Sequence, residues 1–253
     1  MINDDRIKVK SLAKAVEVLN CFTEKQYLGV TEISGMLGLP KSNIHNILST
    51  YEALGYVEQD PDSGKYFLGH QVYKLSHSIS DKYKLDKILQ PYIKDLANIT
   101  GETVIVSVPA DRKVMYIGGE YPDIPGVYTQ LTYMGNRNDM YCTSTGKAML
   151  AFMNPEQREM YLDCELKPKT RYTITDKAQL LKELDIIKER GYATDHMEFE
   201  MGLSCIAAPL LDKHGRLVGT FTISGSSERI EGPKAKMLAE YLVTYAKKAE
   251  KIL

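Results

Sequence analysis

The chain has 253 residues and a formal net charge of −1 at pH 7, with 43% hydrophobic and 26% charged residues; this suits one large or two modest globular domains and excludes a protein that is basic overall. No apolar run approaches the ~18 residues of a membrane span, and the first residues do not form a signal peptide, so we expect a cytoplasmic protein. The cysteines at positions 21, 142, 164 and 205 are far apart and form no CxxC pair, which argues against a disulfide framework or a zinc finger.

A short arm and a helix open the chain. The arm carries Arg6, Lys8 and Lys10 and has a local positive charge. Ser11 follows as the predicted N-cap of a helix that ends near residue 24, because apolar residues then recur at helical spacing.

Residues 30–55 predict two short helices joined by a tight turn. Gly38 can end the first helix in a left-handed conformation, and Pro40 prevents its continuation. Thr31 is the predicted N-cap of the first helix, and Ser34 lies on its outer side. This arrangement is typical of a helix-turn-helix, whose second helix can enter the major groove of DNA. The alternative is an ordinary two-helix corner on a domain surface.

The outer face of the second helix is small and polar, as expected of a surface that reads base edges. A hairpin is predicted over residues 56–68, and with the helices before it this makes a winged helix-turn-helix. Lys65 beside Ser63 and Gly64 suits a phosphate contact at the wing tip, although the hairpin could simply cap the three-helix core. The expected DNA contacts are Arg6, Lys41, Ser42, Asn43, His45, Asn46, Ser49 and Lys65.

The remaining chain mixes helical and strand patterns, which indicates an α+β domain. Helices are predicted over 71–87, 88–101, 144–153, 155–161, 176–190 and 231–253, and strands over 103–108, 114–118, 127–133, 204–211 and 217–224. The first of these helices is interpreted as a linker between two domains.

Two segments of this α+β domain look suited to binding. In one, small polar residues from Thr143 to Gly146 run into a helix, whose N-terminus favours an anion; a plain helix cap by Thr143 or Ser144 is the alternative. In the other, Thr222 and Ser224 share one face of a strand by their spacing.

A cysteine-dependent enzyme and a metal-binding sensor are the competing interpretations. Cys205, His196 and Asp195 supply the residue types of a thiol enzyme, but Cys205 lies among apolar neighbours, where a buried structural thiol is commoner. Metal binding by His196, Cys142 or Cys205 has no diagnostic spacing. A small-molecule pocket with a few convergent polar groups fits the composition best.

The whole chain resembles the IclR family of transcriptional regulators. The resemblance lies in SLAKAVEVLNCF and LGLPKSNIHNILSTYEALGYVEQD, and later in GNRNDMYCTSTGKAMLA and GYATDHMEFEMGLSCIAAPLLDKHGRLVGTFTISGS. It implies an α+β protein with a winged helix-turn-helix domain over 1–70, a linker helix over 71–87, and a GAF-like effector-binding and oligomerisation domain over 88–253, whose antiparallel sheet is flanked by helices.

The resemblance also implies a function. It indicates a regulator, often a repressor of a catabolic operon, that binds operator DNA and a small organic or sugar-derived acid as a dimer or a dimer of dimers, without enzyme activity, cofactor or metal. Carried over residue by residue, the effector pocket falls on Val127, Gln130, Ser144, Thr145, Gly146, Asp195, Cys205, Thr222 and Ser224.

The chain departs from the family pattern at two places. Asn46 stands where the family commonly has arginine, which we expect to change the operator sequence. Asp139-Met140-Tyr141 replaces a common Pro-Leu-His, and Asp139 would add negative charge near the anion site if it faced inward.

Overall fold

The structure, a computed structural model, describes residues 7–79, 85–122 and 135–253. It divides into two compact units, Met1–Tyr83 and Lys84–Leu253. Arg6 and the predicted strand over 127–133, with the pocket-wall residues Val127 and Gln130, lie outside the described residues. No helix of the described ranges is long and apolar enough to cross a membrane.

The first unit is a winged helix-turn-helix, as predicted. Its elements are α1 (Lys10–Cys21), α2 (Val30–Leu37), α3 (Lys41–Ala53), β1 (Val57–Gln59), β2 (Tyr66–Leu68) and α4 (His70–Ile79). The two strands pair in antiparallel register and form the wing. The apolar faces of the helices meet in a core that includes Val18, Ile33, Ile44 and Leu48, all fully buried.

The turn between α2 and α3 forms as the sequence predicts. Gly38 ends α2 with φ +65°, and its N–H donates to the Ser34 carbonyl at 2.9 Å. Ser34 was predicted to lie on the outer side of α2. Its hydroxyl instead donates a hydrogen bond to the Leu39 carbonyl at 2.6 Å. The hydroxyl therefore closes the turn instead of facing solvent.

Both N-caps predicted in this unit are wrong. The first helix begins at Lys10, so Ser11 already lies within it, and the cap position is Val9 without a side-chain bond. The cap of α2 is Gly29 instead of Thr31, because the Glu32 carboxylate reaches back to the Gly29 N–H at 2.8 Å.

The second unit is an antiparallel sheet flanked by helices. Its elements are α5 (Leu85–Thr100), β3 (Thr103–Ala110), β4 (Lys113–Glu120), β5 (Arg137–Asp139), α6 (Ser144–Phe152), α7 (Pro155–Leu162), α8 (Lys177–Arg190), β6 (Ala193–His196), β7 (Leu203–Leu211), β8 (Leu217–Ser226), α9 (Ser227–Ile230) and α10 (Pro233–Glu250). The strand order is β5-β4-β3-β8-β7-β6, and every described pair is antiparallel.

Side chains that alternate along the strands build one core on each face of this sheet. Val104 belongs to the cluster that contains Leu89 of α5 and Leu242 of α10. Ile105 faces the other cluster, which contains Met149 of α6 and Leu184 of α8. Because each fully buried aliphatic side chain contributes ~1.5–3 kcal/mol, this second core holds α6 firmly on the sheet.

Several elements differ from the prediction. The predicted linker helix over 71–87 is described as α4 up to Ile79 and as α5 from Leu85; residues 80–84 lie outside the described residues, so the continuous linker helix stays a prediction. The strands β5 and β6 were not predicted, and the terminal helix begins only at Pro233, after Gly232 with φ +77°.

Candidate functional site

A cavity of about 400 Å³ lies at the start of α6, above the sheet. Six of the residues assigned from the resemblance line it: Ser144, Thr145, Asp195, Cys205, Thr222 and Ser224. Thr143, which the sequence placed at the predicted anion site, also lines the cavity. The remaining lining residues were not assigned to the pocket from the sequence: Ile105, Tyr116, Asn136, Asn138, Phe199, Glu200 and Leu203.

The sheet register explains why distant polar residues meet here. Asp195 of β6 is paired with Cys205 of β7, and Cys205 is paired with Ser224 of β8. Directly paired residues project from the same face of a sheet, so these three side chains form a row beneath the start of α6. The Cys205 thiol donates to the Ser224 hydroxyl at 3.2 Å.

The first turn of α6 supplies the other wall. Thr143 is the N-cap and accepts the Gly146 N–H at 3.0 Å, while the Thr145 and Thr222 hydroxyls lie 2.9 Å apart. The buried Ser144 hydroxyl has no nitrogen or oxygen partner among the described residues, and the Cys205 thiol is its polar neighbour. A helix start carries partial positive charge and N–H groups without intrahelical acceptors, so this wall suits an anionic or hydroxylated ligand.

Gly146, which was assigned to the pocket, is not among the lining residues. Its N–H is used by the Thr143 cap. A Cβ at this position would lie 2.2 Å from the Met140 carbonyl oxygen, so glycine is required here by close packing against the preceding loop.

The cavity contains acidic side chains and, among its described lining residues, no Lys, Arg or His. Asp195 is 2% exposed and accepts the Glu198 N–H at 2.7 Å. Burial raises the pKa of the Asp195 carboxyl to about 7, and the neighbouring Glu198 carboxylate adds to the rise. Asp195 can therefore donate or accept a hydrogen bond near neutral pH.

A buried ion pair lies behind the cavity. Lys147 of α6 pairs with Glu198, which follows β6, and their side chains are only 1% and 7% exposed. This pair ties α6 to the turn that carries Phe199 and Glu200 into the cavity wall. The hydroxyls of Thr170 and Thr173 bond the backbone carbonyls of the same turn.

The geometry does not fit a thiol enzyme. Burial, and then the Asp195 carboxylate, raise the pKa of the Cys205 thiol, which disfavours the reactive thiolate. His196 is exposed, and its Nδ1 lies 3.3 Å from Glu231 instead of facing Cys205. No group of three His, Cys, Asp or Glu side chains in the described ranges is arranged to hold a metal.

Asp139 does not add charge to the cavity, because it lies outside the lining. Its carboxylate pairs with Lys169 at 3.0 Å and with Lys113 at 3.3 Å. Partial burial opposes ionisation, but the two ammonium groups outweigh it and lower the Asp139 pKa.

The outer face of α3 is open to solvent, as a recognition helix requires. The six predicted contact residues on this helix are all exposed: Lys41, Ser42, Asn43, His45, Asn46 and Ser49. In the wing, the Lys65 ammonium lies 3.1 Å from Glu32, and its phosphate contact stays a prediction. At the tip, Ser63 bonds the Asp60 carboxylate through its hydroxyl and its N–H.

Two family models match the chain. The model described as "Bacterial transcriptional regulator IclR C-terminal" matches residues 77–251, and the model described as "IclR helix-turn-helix domain" matches residues 11–61. The chain belongs to the IclR family. Its α+β fold and its N-terminal DNA-binding domain are those of this family.

Curated and solved members of the IclR family match almost end to end. The "HTH-type transcriptional regulator KdgR" of Escherichia coli (strain K12) is 30% identical over 95% of this chain and 91% of its own length. The "DNA-binding transcriptional repressor YiaJ" of the same organism is 32% identical over 84% of this chain and 76% of its own length.

Among solved structures, the crystal structure of the Thermotoga maritima IclR superposes with a TM-score of 0.80 at 29% identity, covering 96% of this chain and 98% of that one. The two curated relatives are named as transcriptional regulators, and this IclR-family chain is accordingly a regulator and not an enzyme.

Proposed function

We propose that this IclR-family regulator binds operator DNA and is controlled by a small organic or sugar-derived acid held in the cavity at the start of α6. The observation that carries the proposal is the convergence of the six polar side chains assigned from the resemblance on one cavity of about 400 Å³ that also faces a helix start. A cavity of this size and polarity suits a small hydroxylated ligand.

The ligand is oriented by the two walls of the cavity. Its carboxylate binds at the first turn of α6, where the partial positive charge and the Ser144 and Thr145 hydroxyls lie. Its hydroxyl groups bond Asp195, Thr222 and Ser224 on the sheet. Because none of the described lining residues is a cation, the helix start is the positive end of the site.

The DNA is read by the exposed face of α3. Asn46 can pair bidentately with adenine, a contact worth ~1–3 kcal/mol of discrimination. Arg6 of the arm contributes to phosphate binding, and two recognition helices act together in a homodimer or a dimer of dimers. The exposed apolar side chains of Leu12 and Tyr73, 62% and 75% accessible, are available for a second copy to cover.

The regulator acts as a repressor of a catabolic operon, in the cytoplasm where its DNA lies. The repressor role is supported by the name of the 32% identical relative YiaJ. Repression that the effector relieves requires the ligand to bind the DNA-competent and DNA-incompetent states with different affinity.

A thermal-shift screen of small carboxylates and sugar acids tests the proposal. A ligand that binds only the folded protein raises its apparent stability, and Ser224→Ala should abolish the shift. The matched control is Ser107→Ala, which removes a buried hydroxyl of the same sheet that lies outside the cavity lining. Stabilisation by neutral polyols and by no acid, or an equal shift in Ser224→Ala, would contradict the proposed ligand class or site.

A further inference from the structure

One carboxylate in the winged domain gathers two lysines from separate segments. The Glu32 Oε1 lies 2.6 Å from the Lys25 ammonium, and its Oε2 lies 3.1 Å from the Lys65 ammonium. The same Oε2 accepts the Gly29 N–H at 2.8 Å. The cluster therefore brings two positive charges and one negative charge to the start of α2.

This set of donors resembles one that binds a phosphate. Ammonium groups and the N-terminus of a helix are the partners that proteins offer to phosphate oxygens. An ammonium group has three donors, so Lys25 and Lys65 keep donors beyond those that Glu32 accepts. Both lysine side chains remain accessible, at 56% and 39%.

The cluster lies where the turn of the wing meets the loop before α2. Leu28 and Tyr66 exchange two backbone hydrogen bonds of 3.0 and 2.9 Å, which attach the loop before α2 to β2. The wing tip itself is acidic, since it carries Asp60 and Asp62. Lys65 belongs to the same turn, since its carbonyl accepts the Asp60 N–H at 2.8 Å, so Lys25 and Lys65 supply the positive charge beside these two carboxylates.

We propose that Lys25 and Lys65 together bind one DNA phosphate beside the turn of the wing, and that Glu32 holds both side chains in place while its negative charge limits the strength of this contact. Glu32 is a positioning residue that caps α2 and moderates DNA affinity. Hydrogen bonds from Lys25, then from the Gly29 N–H and Lys65, lower the Glu32 pKa to about 2, so its negative charge persists under all conditions in which the protein binds DNA.

The salt dependence of DNA binding tests this proposal without knowledge of the operator. The full chain is titrated with a fluorescein-labelled duplex of arbitrary sequence, and the affinity is followed by anisotropy between about 50 and 200 mM KCl. Because one phosphate contact contributes about 0.9 to the logarithmic salt slope, the double variant Lys25→Ala/Lys65→Ala should show a slope shallower by about that amount for each copy of the chain that contacts the DNA.

The Glu32→Gln variant should act in the opposite direction. Its amide oxygen can still accept the Gly29 N–H, while the loss of negative charge should tighten binding severalfold with little change in slope. The matched controls are Lys247→Ala in the second unit and Glu24→Gln in the loop before α2, and both should behave as the parent protein. An unchanged slope in the double lysine variant, or binding by Glu32→Gln that is no tighter than the parent's, would overturn the proposal.

Discussion

Replacing Lys147 by methionine should destabilise the second unit strongly. Lys147 of α6 and Glu198 form an ion pair whose side chains are 1% and 7% exposed. The second carboxylate oxygen of Glu198 is buried and has no partner among the described residues. The variant would therefore leave a carboxylate without its main partner in the interior.

The size of the effect follows from this burial. Breaking a buried ion pair by removing one partner costs ~3–5 kcal/mol, whereas replacing both partners by apolar residues of similar volume is often neutral. In a unit of this size each kcal/mol lowers the melting temperature by about 2–4 °C. Lys147→Met should thus lower the melting temperature by ~6–20 °C, and Lys147→Met/Glu198→Leu should regain most of the loss.

Thermal unfolding followed by near-ultraviolet circular dichroism measures the change. The matched control is Lys169→Met, which removes a lysine from a more exposed ion pair with Asp139, 39% and 30% accessible, and should cost no more than ~1 kcal/mol. The buried ion pair does not have this role if Lys147→Met has the same melting temperature as Lys169→Met, or if the double variant is no more stable than Lys147→Met.

Three further outcomes follow from the site and the DNA-binding helix. Burial raises the pKa of Asp195 in the folded protein to about 7, above the ordinary value of about 4 for the unfolded carboxyl. Asp195 therefore contributes its full stability below about pH 4, and this stability is lost as the pH rises through about 7. Asp195→Asn should flatten this part of a plot of melting temperature against pH. Gly146→Ala should unfold the effector site by its clash with the Met140 carbonyl, measured as loss of ligand-induced thermal shift together with a lower melting temperature. Asn46→Ala should weaken operator binding by ~1–3 kcal/mol but leave binding to DNA of arbitrary sequence unchanged, as an anisotropy titration would show.

Features set by neighbouring residues were predictable from the sequence. The turn at Gly38 and Pro40 follows from backbone conformations that only a few residues allow. The start of α6 follows from the small polar residues before an apolar run. The long, apolar strands β3, β7 and β8 likewise follow from their composition.

Features set by distant partners were not predictable. The strands β5 and β6 have three and four residues, and their sequences are RND and ATDH; they form because β4 and β7 offer free edges to pair with. Lys147 and Glu198 are 51 residues apart in the sequence, so no local sequence pattern predicts their contact. The resemblance supplied six of the residues that line the site. Tyr116 and Asn138 reach the cavity only because of the register in which the strands pair.

An acid in the α6 cavity should change the affinity of this regulator for operator DNA. The most direct measurement is a titration of operator DNA with the full-length protein, with and without the acid that gives the largest thermal shift. A coupling free energy of ~1–3 kcal/mol, typical of allosteric proteins, predicts operator binding that is ~5–150-fold weaker with the acid present. An operator affinity that does not change when the cavity is saturated would show that the cavity does not control DNA binding.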